Sequence, residues 1–219
     1  MTLFINKLNN KDFSNGYIHR LMKFLGIKSR IRRKKVNRKR IKPQYTKENV
    51  LSRDFTSSEP NEKWLTDVTQ FSIPEDNRRL YLSPIMDLYD NSIIEFNLSY
   101  KNNNYLVFTM FDNARKKHPN AKPILHSDRG YQYTSQHFKD RIEKARMTQS
   151  MSRVGKCIDN GPMEGFFGTL KVEMFYGKKF KSLDELKERI IEYIDFYNKR
   201  RFQERLRGMA PLEYRSQAS

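Results

Sequence analysis

The sequence is short of cysteine and of long apolar stretches. Its 219 residues include one cysteine, Cys157, which excludes an internal disulfide framework and a zinc site built on several cysteines. No apolar run approaches the roughly 18 residues that a membrane-spanning helix needs. The first residues contain no long apolar segment followed by small residues, so no secretory signal is expected. These absences predict a protein of a reducing compartment, with the cytoplasm as its expected location.

Acidic residues are also scarce relative to basic ones. The chain has 25 Asp and Glu against 43 Lys and Arg, a formal net charge of +18. Residues 1–50 hold 15 basic and 2 acidic side chains, and ten of the 15 residues from Lys28 to Lys42 are basic. Such a segment repels itself, so we expect an extended, solvated arm that contacts a polyphosphate backbone. A plain solvated charge run or a nuclear-localisation-type patch is the alternative. The candidate phosphate contacts in this arm are Arg32, Arg33, Lys34 and Lys35.

Residues 1–27 have the pattern of a partial helix-turn-helix. Apolar residues within positions 1–9 predict one short helix, and Asn15-Gly16 predicts a turn. The apolar spacing i, i+3, i+4, i+7 that begins at Ile18 predicts a second helix, which ends at Gly26. A generic helical hairpin is the alternative.

The remaining chain divides into a linking segment and a core. Residues 28–60 form the basic arm and a linker, with an irregular polar stretch over 43–61, and residues 61–219 form the core. The hydrophobic content of 37% is enough to build that core. The predicted order β-β-β-α-β-α-β-α-α gives an α/β fold, a mixed five-stranded sheet flanked by helices. The predicted strands cover 64–71, 80–88, 92–100, 123–128 and 147–151, and the predicted helices cover 103–117, 135–145, 162–174 and 182–197. In the last helix the predicted inward residues are Leu186, Ile190, Ile191, Ile194 and Tyr197.

Three acidic residues are the candidate catalytic groups. Asp67 interrupts a strand-like run, Asp128 ends another, and Glu164 lies beside the apolar stripe of a predicted helix. Three carboxylates at one sheet edge repel each other unless divalent cations neutralise them, and their hard oxygens select Mg²⁺ or Mn²⁺. Two such ions can promote an in-line phosphoryl displacement. In the alternative, the two aspartates cap loops and Glu164 is a surface charge.

Three sequence blocks resemble those of the integrase-core, or DDE, transposases of bacterial insertion sequences. The blocks are Trp64-Leu-Thr-Asp67-Val-Thr, His126-Ser-Asp128-Arg-Gly-Tyr-Gln-Tyr133 and Asp159-Asn-Gly-Pro-Met-Glu164-Gly-Phe-Phe-Gly-Thr-Leu-Lys171. Thirty-five residues separate Asp128 from Glu164, a spacing that this family shares with retroviral integrases. The segment Tyr197-Asn198-Lys-Arg-Arg201 resembles the C-terminal block of the family. The resemblance covers residues 1–215.

The resemblance implies an RNase H-like catalytic core over 61–219, in which Asp67, Asp128 and Glu164 hold two Mg²⁺ (or Mn²⁺) ions. The implied reaction is cleavage at transposon ends and attack of a freed 3′-OH on another phosphodiester. The implied partner is double-stranded DNA, both ends and target, bound by a homodimer or higher oligomer. Beyond the arm, the implied DNA contacts are Lys171, Lys156, Arg153 and Asn160. The alternatives for Asn160 are that it orients the metal site or caps the helix. His126 and Asp87 are interpreted as structural residues, and Trp64 as a core residue.

The sequence departs from the family pattern at two places. Phe202 stands where the C-terminal block usually has a histidine, which removes a polar role from that position. The N-terminal region matches only the later part of the family's DNA-binding region. Two other functions therefore remain open: a decayed transposase fragment that only binds DNA, and an RNase H-like ribonuclease or repair nuclease.

Overall fold

The computed structural model describes residues 1–28, 47–74, 76–153 and 157–217. Five of the predicted DNA contacts lie outside the described residues. They are Arg32, Arg33, Lys34 and Lys35 in the basic arm, and Lys156 in the loop before Glu164.

Six strands form one mixed sheet. They are β1 (Lys63–Thr66), β2 (Thr69–Phe71), β3 (Leu80–Asp87), β4 (Ile93–Ser99), β5 (Ile124–Ser127) and β6 (Thr148–Met151). The sheet order is β2-β3-β1-β5-β6, and β4 pairs with β3. Pairs among β1 to β4 are antiparallel, whereas β1–β5 and β5–β6 are parallel. The carboxyl ends of β1, β5 and β6 therefore meet at one edge of the sheet.

The first predicted strand is divided in two, which accounts for six strands instead of five. Thr66 pairs with Ile85 and Thr69 pairs with Leu82, so β1 and β2 lie along the same side of β3 in an unchanged register. The two-residue gap between them begins at Asp67. There the Val68 amide donates to Asp67 Oδ1 at 2.7 Å. This amide is therefore not used in a backbone hydrogen bond to β3. The strand is therefore interrupted at Asp67, the residue that the sequence marks as a candidate catalytic carboxylate.

Helices cover both faces of the sheet. They are α1 (Thr2–Asn9), α2 (Asn15–Phe24), α3 (Asn104–Lys117), α4 (Gln136–Lys144), α5 (Gly161–Leu170), α6 (Leu183–Lys199) and α7 (Pro211–Arg215). Trp64 and Leu65 alternate across β1 and enter different cores, as neighbours on a strand do. The Trp64 core includes α3 and α4, and the Leu65 core includes α5 and α6. The interpretation of Trp64 as a core residue is confirmed, since it is fully buried.

Two helix predictions are wrong in detail. In α6, Ile191 is 44% exposed, and Tyr193 is buried in its place. The predicted turn at Asn15-Gly16 is instead the start of α2, because the Ser14 hydroxyl accepts the Tyr17 amide and caps the helix. Gly26 ends this helix in the left-handed conformation, at φ 67°, as predicted.

The helix predicted over 162–174 changes its winding. It is α-helical from Gly161 to Leu170 and continues as a π-helical turn over Lys171–Phe175. The turn brings Met174 into the core. Single π turns of this kind are frequent next to functional sites.

The described part of the predicted linker packs on the sheet. It has no helix or strand within residues 47–60, but Leu51 is buried and its amide donates to Ser150 Oγ at 3.0 Å. The Met151 amide donates to the Glu48 carbonyl at 3.2 Å. This segment therefore covers β6, which would otherwise be an open edge strand.

Within the described ranges, no helix is both long and apolar enough to cross a lipid bilayer.

Candidate active site

Asp67 and Asp128 follow the last residues of two adjacent parallel strands. In the β1–β5 register Lys63 pairs with Ile124 and Leu65 pairs with His126. The same offset, continued past the strand ends, sets Asp67 beside Asp128. Neighbouring strands lie about 4.8 Å apart, so Asp67 and Asp128 lie next to each other at one end of the sheet. This place is here named the carboxylate corner. Both residues are half-buried.

A tight turn after β5 fixes the Asp128 carboxylate. The Gly130 amide donates to Asp128 Oδ1 at 2.8 Å. A Cβ on Gly130 would lie 2.9 Å from the same oxygen, closer than real Cβ contacts allow. Glycine at this position therefore permits the close approach of backbone and carboxylate.

Tyr133 lies beneath the aspartates. Its hydroxyl is joined to Thr66 Oγ1 by a hydrogen bond of 3.1 Å. Burial raises the pKa of Tyr133 well above its ordinary value, and the negative charges of Asp67 and then Asp128 raise it further. The Tyr133 phenol therefore stays neutral beneath the two aspartates.

Glu164 lies in the first turn of α5, and Asn160 ties that turn to β1. Asn160 Nδ2 donates to the Thr66 carbonyl at 3.3 Å, directly before Asp67. Asn160 occupies the N-cap position of α5, as the capping alternative expected, but among the described residues its side chain makes no cap bond to that helix. Glu164 is half-buried at the border of core and solvent, and its helix begins at the corner occupied by the aspartates.

Lys171 lies at the start of the π-helical turn. Its Nζ donates to Thr69 Oγ1 at 2.6 Å and lies 5.0 Å from the centre of the Phe71 ring. Thr69 is two residues beyond Asp67, and side chains two apart in an extended chain share a face. The amine is therefore held close to the carboxylate corner.

The π-helical turn is joined to Tyr193 of α6 and to Arg201, just beyond the end of α6, by contacts that the sequence did not reveal. Glu173 accepts the Arg201 guanidinium, with the closest pair at 2.7 Å, and the Tyr193 hydroxyl at 2.6 Å. Burial alone would raise the pKa of Glu173, but the bonds from Arg201 and Tyr193 outweigh it and hold this pKa below its ordinary value. The contact fixes the turn that presents Lys171.

His126 is a buried residue of β5, as interpreted from the sequence. Its Nδ1 and Nε2 are hydrogen-bonded to Ser150 Oγ at 2.8 Å and Ser152 Oγ at 3.1 Å. Burial lowers the pKa of His126 to about 4. The neutral ring therefore joins β5 to β6 and holds the strand that ends in Asp128.

Asp159 is a buried carboxylate that the sequence reasoning left without a role. It accepts bonds from Arg53 Nε at 2.7 Å, from Arg153 Nη2 at 3.0 Å and from Asn49 Nδ2 at 3.1 Å. The hydrogen bonds of Arg153 are the largest cause that holds the pKa of Asp159 far below its ordinary value. Contact of Arg153 with DNA stays a prediction, and the structure shows that its guanidinium also binds Asp159.

Asp87, the rival carboxylate, lies away from this corner. It ends β3, which runs antiparallel to β1, and therefore belongs to the opposite edge of the sheet. Arg215 Nη2 contacts Asp87 Oδ2 at 2.6 Å, and Arg215 Nη1 contacts Asp90 Oδ2 at 3.0 Å. Asp87 is a buried partner of α7, which agrees with its structural interpretation.

The donor set of the corner suits a hard divalent cation. Two aspartates supply carboxylate oxygens, and the buried Asn160 Oδ1 has no hydrogen-bond partner among the described residues. Across 1–28, 47–74, 76–153 and 157–217, no three His, Cys, Asp or Glu side chains lie close enough together to hold a metal ion. Joint coordination by Asp67, Asp128 and Glu164 therefore stays a prediction.

Comparisons with known proteins agree with this geometry. The integrase core domain family matches residues 57–157 and residues 164–218. The HTLV-2 integrase catalytic core domain, solved in complex with magnesium, superimposes with a TM-score of 0.56 at 18% identity over 72% of this chain and 98% of that one. This likeness shows the fold, an RNase H-like core of the retroviral integrase class.

Two relatives narrow the class. The putative transposase InsK for insertion sequence element IS150 of Escherichia coli K12 is 43% identical over 208 residues, which are 94% of this chain and 73% of that protein. An uncharacterized transposase-like protein of Haemophilus influenzae is 41% identical over 97% of this chain and 95% of its own length. The chain belongs to the insertion-sequence transposases with an integrase core domain.

Proposed function

We propose that the chain is a DDE transposase that cuts DNA at transposon ends and joins the freed 3′ ends to target DNA. The observation that carries the proposal is the register of β1 and β5, which sets Asp67 beside Asp128 at the carboxyl edge of the sheet. Support comes from relatives whose names include transposase and from a fold neighbour solved with magnesium.

In this proposal Asp67, Asp128 and Glu164 hold two Mg²⁺ or Mn²⁺ ions. When bound, such ions polarise the scissile phosphate and lower the pKa of a bound water or 3′-OH. The chain supplies the fixed frame. The Gly130 amide orients Asp128, and Asn160 sets the start of α5 against the end of β1.

Lys171 binds a DNA phosphate near the scissile bond in this proposal. Its amine is held beside β2 by Thr69, so little side-chain freedom is lost when a phosphate arrives. A hydrogen bond to a charged group is also stronger than one between neutral groups. Two transposon ends must be brought together for joining, and we propose that a homodimer or higher oligomer does this on DNA.

The proposal is tested by incubating the full chain with the end DNA of its element and Mg²⁺. Wild-type protein is expected to give strand-transfer products that disappear in Asp67→Asn and Asp128→Asn. Asp112→Asn is the matched control, since Asp112 is a half-exposed carboxylate on α3, and it should keep full activity. Products that persist in Asp67→Asn would refute the assignment of the carboxylates.

The same assay separates the other candidate functions. A decayed fragment would bind DNA with steep salt dependence and give no metal-dependent product. A ribonuclease would cut an RNA–DNA hybrid in preference to duplex DNA.

A further inference from the structure

Two arginines bind the buried Asp159, and each has N–H donors that do not bind this carboxylate. The Asp159 side chain is buried, whereas the side chains of Arg53 and Arg153 are 39% and 51% exposed. Arg53 reaches Asp159 through Nε alone, and Arg153 through Nε and Nη2. One carboxylate balances one of the two guanidinium charges, so one positive charge and several N–H donors face solvent.

The pair formed by Arg53 and Arg153 lies next to the candidate active site. In the β5–β6 register Ile124 pairs with Thr148 and Ser127 with Met151, and the Ser152 amide continues the pairing to the Ser127 carbonyl at 3.0 Å. Arg129 and Arg153 each lie two residues beyond the last residue of their strand. Arg129 Nε donates to the Ser152 carbonyl at 2.7 Å, which holds its guanidinium between the two strand ends.

Arg53 extends this line from the segment that covers β6. Ser52 and Arg53 have φ of 48° and 67°, a left-handed conformation that is uncommon and unfavourable for residues other than glycine. Asn49 supports the turn, since its Oδ1 accepts the Ser52 amide at 2.9 Å and its Nδ2 binds Asp159. The chain therefore holds Arg53 beside Arg153 even though the backbone adopts an unfavourable conformation there.

We propose that Arg129, Arg153 and Arg53, here named the arginine row, bind successive phosphates of duplex DNA beside Asp128. The row begins one residue after Asp128 and ends in the segment that leads back to the basic residues of 28–42. Asp159 acts as the positioning residue, because it orients two guanidinium groups while their remaining donors stay accessible. Guanidinium groups suit this task, since their planar donor forks match phosphate oxygens. The inference rests on the proposed function and assigns part of the DNA path in it.

The test measures binding of the full chain to a fluorescein-labelled DNA duplex of arbitrary sequence across a series of salt concentrations. Each phosphate contact removed lowers the slope of log affinity against log salt by about one. Arg53→Gln and Arg153→Gln should each lower it by about one, and the double variant by about two. Arg189→Gln is the matched control, since Arg189 is 56% exposed and paired with Glu192 at 2.8 Å, and its slope should equal that of wild type.

A purely structural role gives a different result. If the arginines only neutralise Asp159, Arg53→Gln and Arg153→Gln lower the thermal midpoint and leave the slope unchanged, and the arginine row is refuted. If Arg53→Gln does not fold, Asp159→Asn with Arg53→Gln removes the buried charge together with its partner, and the slope of that double variant decides. A lower slope in the arginine variants, together with no strand transfer by the wild-type protein, would refute the proposed function. The same result would support DNA binding by the arginine row.

Discussion

Lys171 and Thr69 are joined by a hydrogen bond of 2.6 Å from Nζ to Oγ1. The bond links the start of the π-helical turn to β2, two residues beyond Asp67. A charged amine is thus fixed beside β2, which begins just after the gap that contains Asp67. Its position depends on two elements that are distant in sequence and adjacent in the fold.

Replacing Lys171 by methionine should lower the rate of strand transfer by about tenfold or more, since a hydrogen bond to a charged group contributes roughly 1.5–3 kcal/mol. The unfolding midpoint should change little, because methionine keeps the apolar stem over Phe71. Strand-transfer kinetics measure the effect. Lys179→Met is the control, since Lys179 is exposed and its loss should not matter. Equal strand-transfer rates for Lys171→Met and Lys179→Met would show that Lys171 is not part of the active site.

Gly130→Ala should displace the Asp128 carboxylate. The added Cβ would lie 2.9 Å from Asp128 Oδ1, so one of the two atoms must move. Displacement of a catalytic group by about 1 Å can lower a rate by roughly 10²-fold, and we expect a loss of that order in strand transfer. Gly16→Ala in α2 is the control, because its Cβ would meet only Ser14 Oγ at 4.0 Å. Full activity in Gly130→Ala would show that the turn does not constrain Asp128.

Arg215→Ala should destabilise the chain strongly. The arginine contacts Asp87 at 2.6 Å and Asp90 at 3.0 Å, and both carboxylates are buried. Removing one partner of a buried ion pair costs roughly 3–5 kcal/mol, because the remaining charge stays buried. Urea unfolding measures the loss. The combined variant Arg215→Ala, Asp87→Asn, Asp90→Asn should regain part of it, and a triple variant no more stable than Arg215→Ala would show that unpaired charge is not the cause.

Acid should remove the stabilisation that Asp159 provides. Its pKa lies below the ordinary value chiefly because Arg153 donates hydrogen bonds to it. A carboxylate with a lower pKa in the folded than in the unfolded chain gives its full contribution above about pH 4 and loses it as the pH falls further. The difference in unfolding free energy between wild type and Asp159→Asn should therefore shrink below about pH 4. A constant difference from neutral to acid pH would contradict this explanation.

Phe202 should hold the N-terminal helices on the core. Its ring centre lies 6.0 Å from that of Phe4 and 4.4 Å from Lys7 Nζ, and Lys7 Nζ contacts Glu213 at 2.7 Å. Phe202→Ala should speed amide hydrogen exchange in α1 and α2 without affecting the sheet. Phe24→Ala is the control, since Phe24 is 87% exposed. Unchanged exchange in Phe202→Ala would show that other contacts hold these helices.

Local pattern predicted most of the elements correctly. Helix α3 buries the five predicted residues, Leu106, Val107, Met110, Phe111 and Ala114. Strand β5 covers Ile124–Ser127, one residue shorter at each end than the predicted 123–128, and Asp128 follows its last residue. Both results follow from the period of apolar residues and from capping chemistry, which are properties of a short stretch of sequence. The pairing of β1 with β5 then carries the two aspartates to one edge.

Contacts between distant residues set the limit of sequence reasoning. Asp159 binds Arg53 and Asn49, which lie 106 and 110 positions away, and no local pattern connects them. For the same reason the sequence does not show that residues 47–60 of the predicted linker pack on β6. Ile191 fits the apolar period of α6 but faces solvent, because the period does not show how wide a stripe the core covers.

The π-helical turn over Lys171–Phe175 has a consequence for insertions and deletions. An α-helix advances about 100° per residue, and a π turn accommodates one residue more than an α turn. Because the turn accommodates the extra residue, deleting one residue here would restore ordinary winding and leave the chain after Phe175 close to its present direction. Deleting one residue of α5 between Glu164 and Leu170 would instead rotate Lys171 relative to Glu164 by about 100°. The number of residues between Glu164 and Lys171 is thus a determinant of the candidate site in its own right, whatever their side chains.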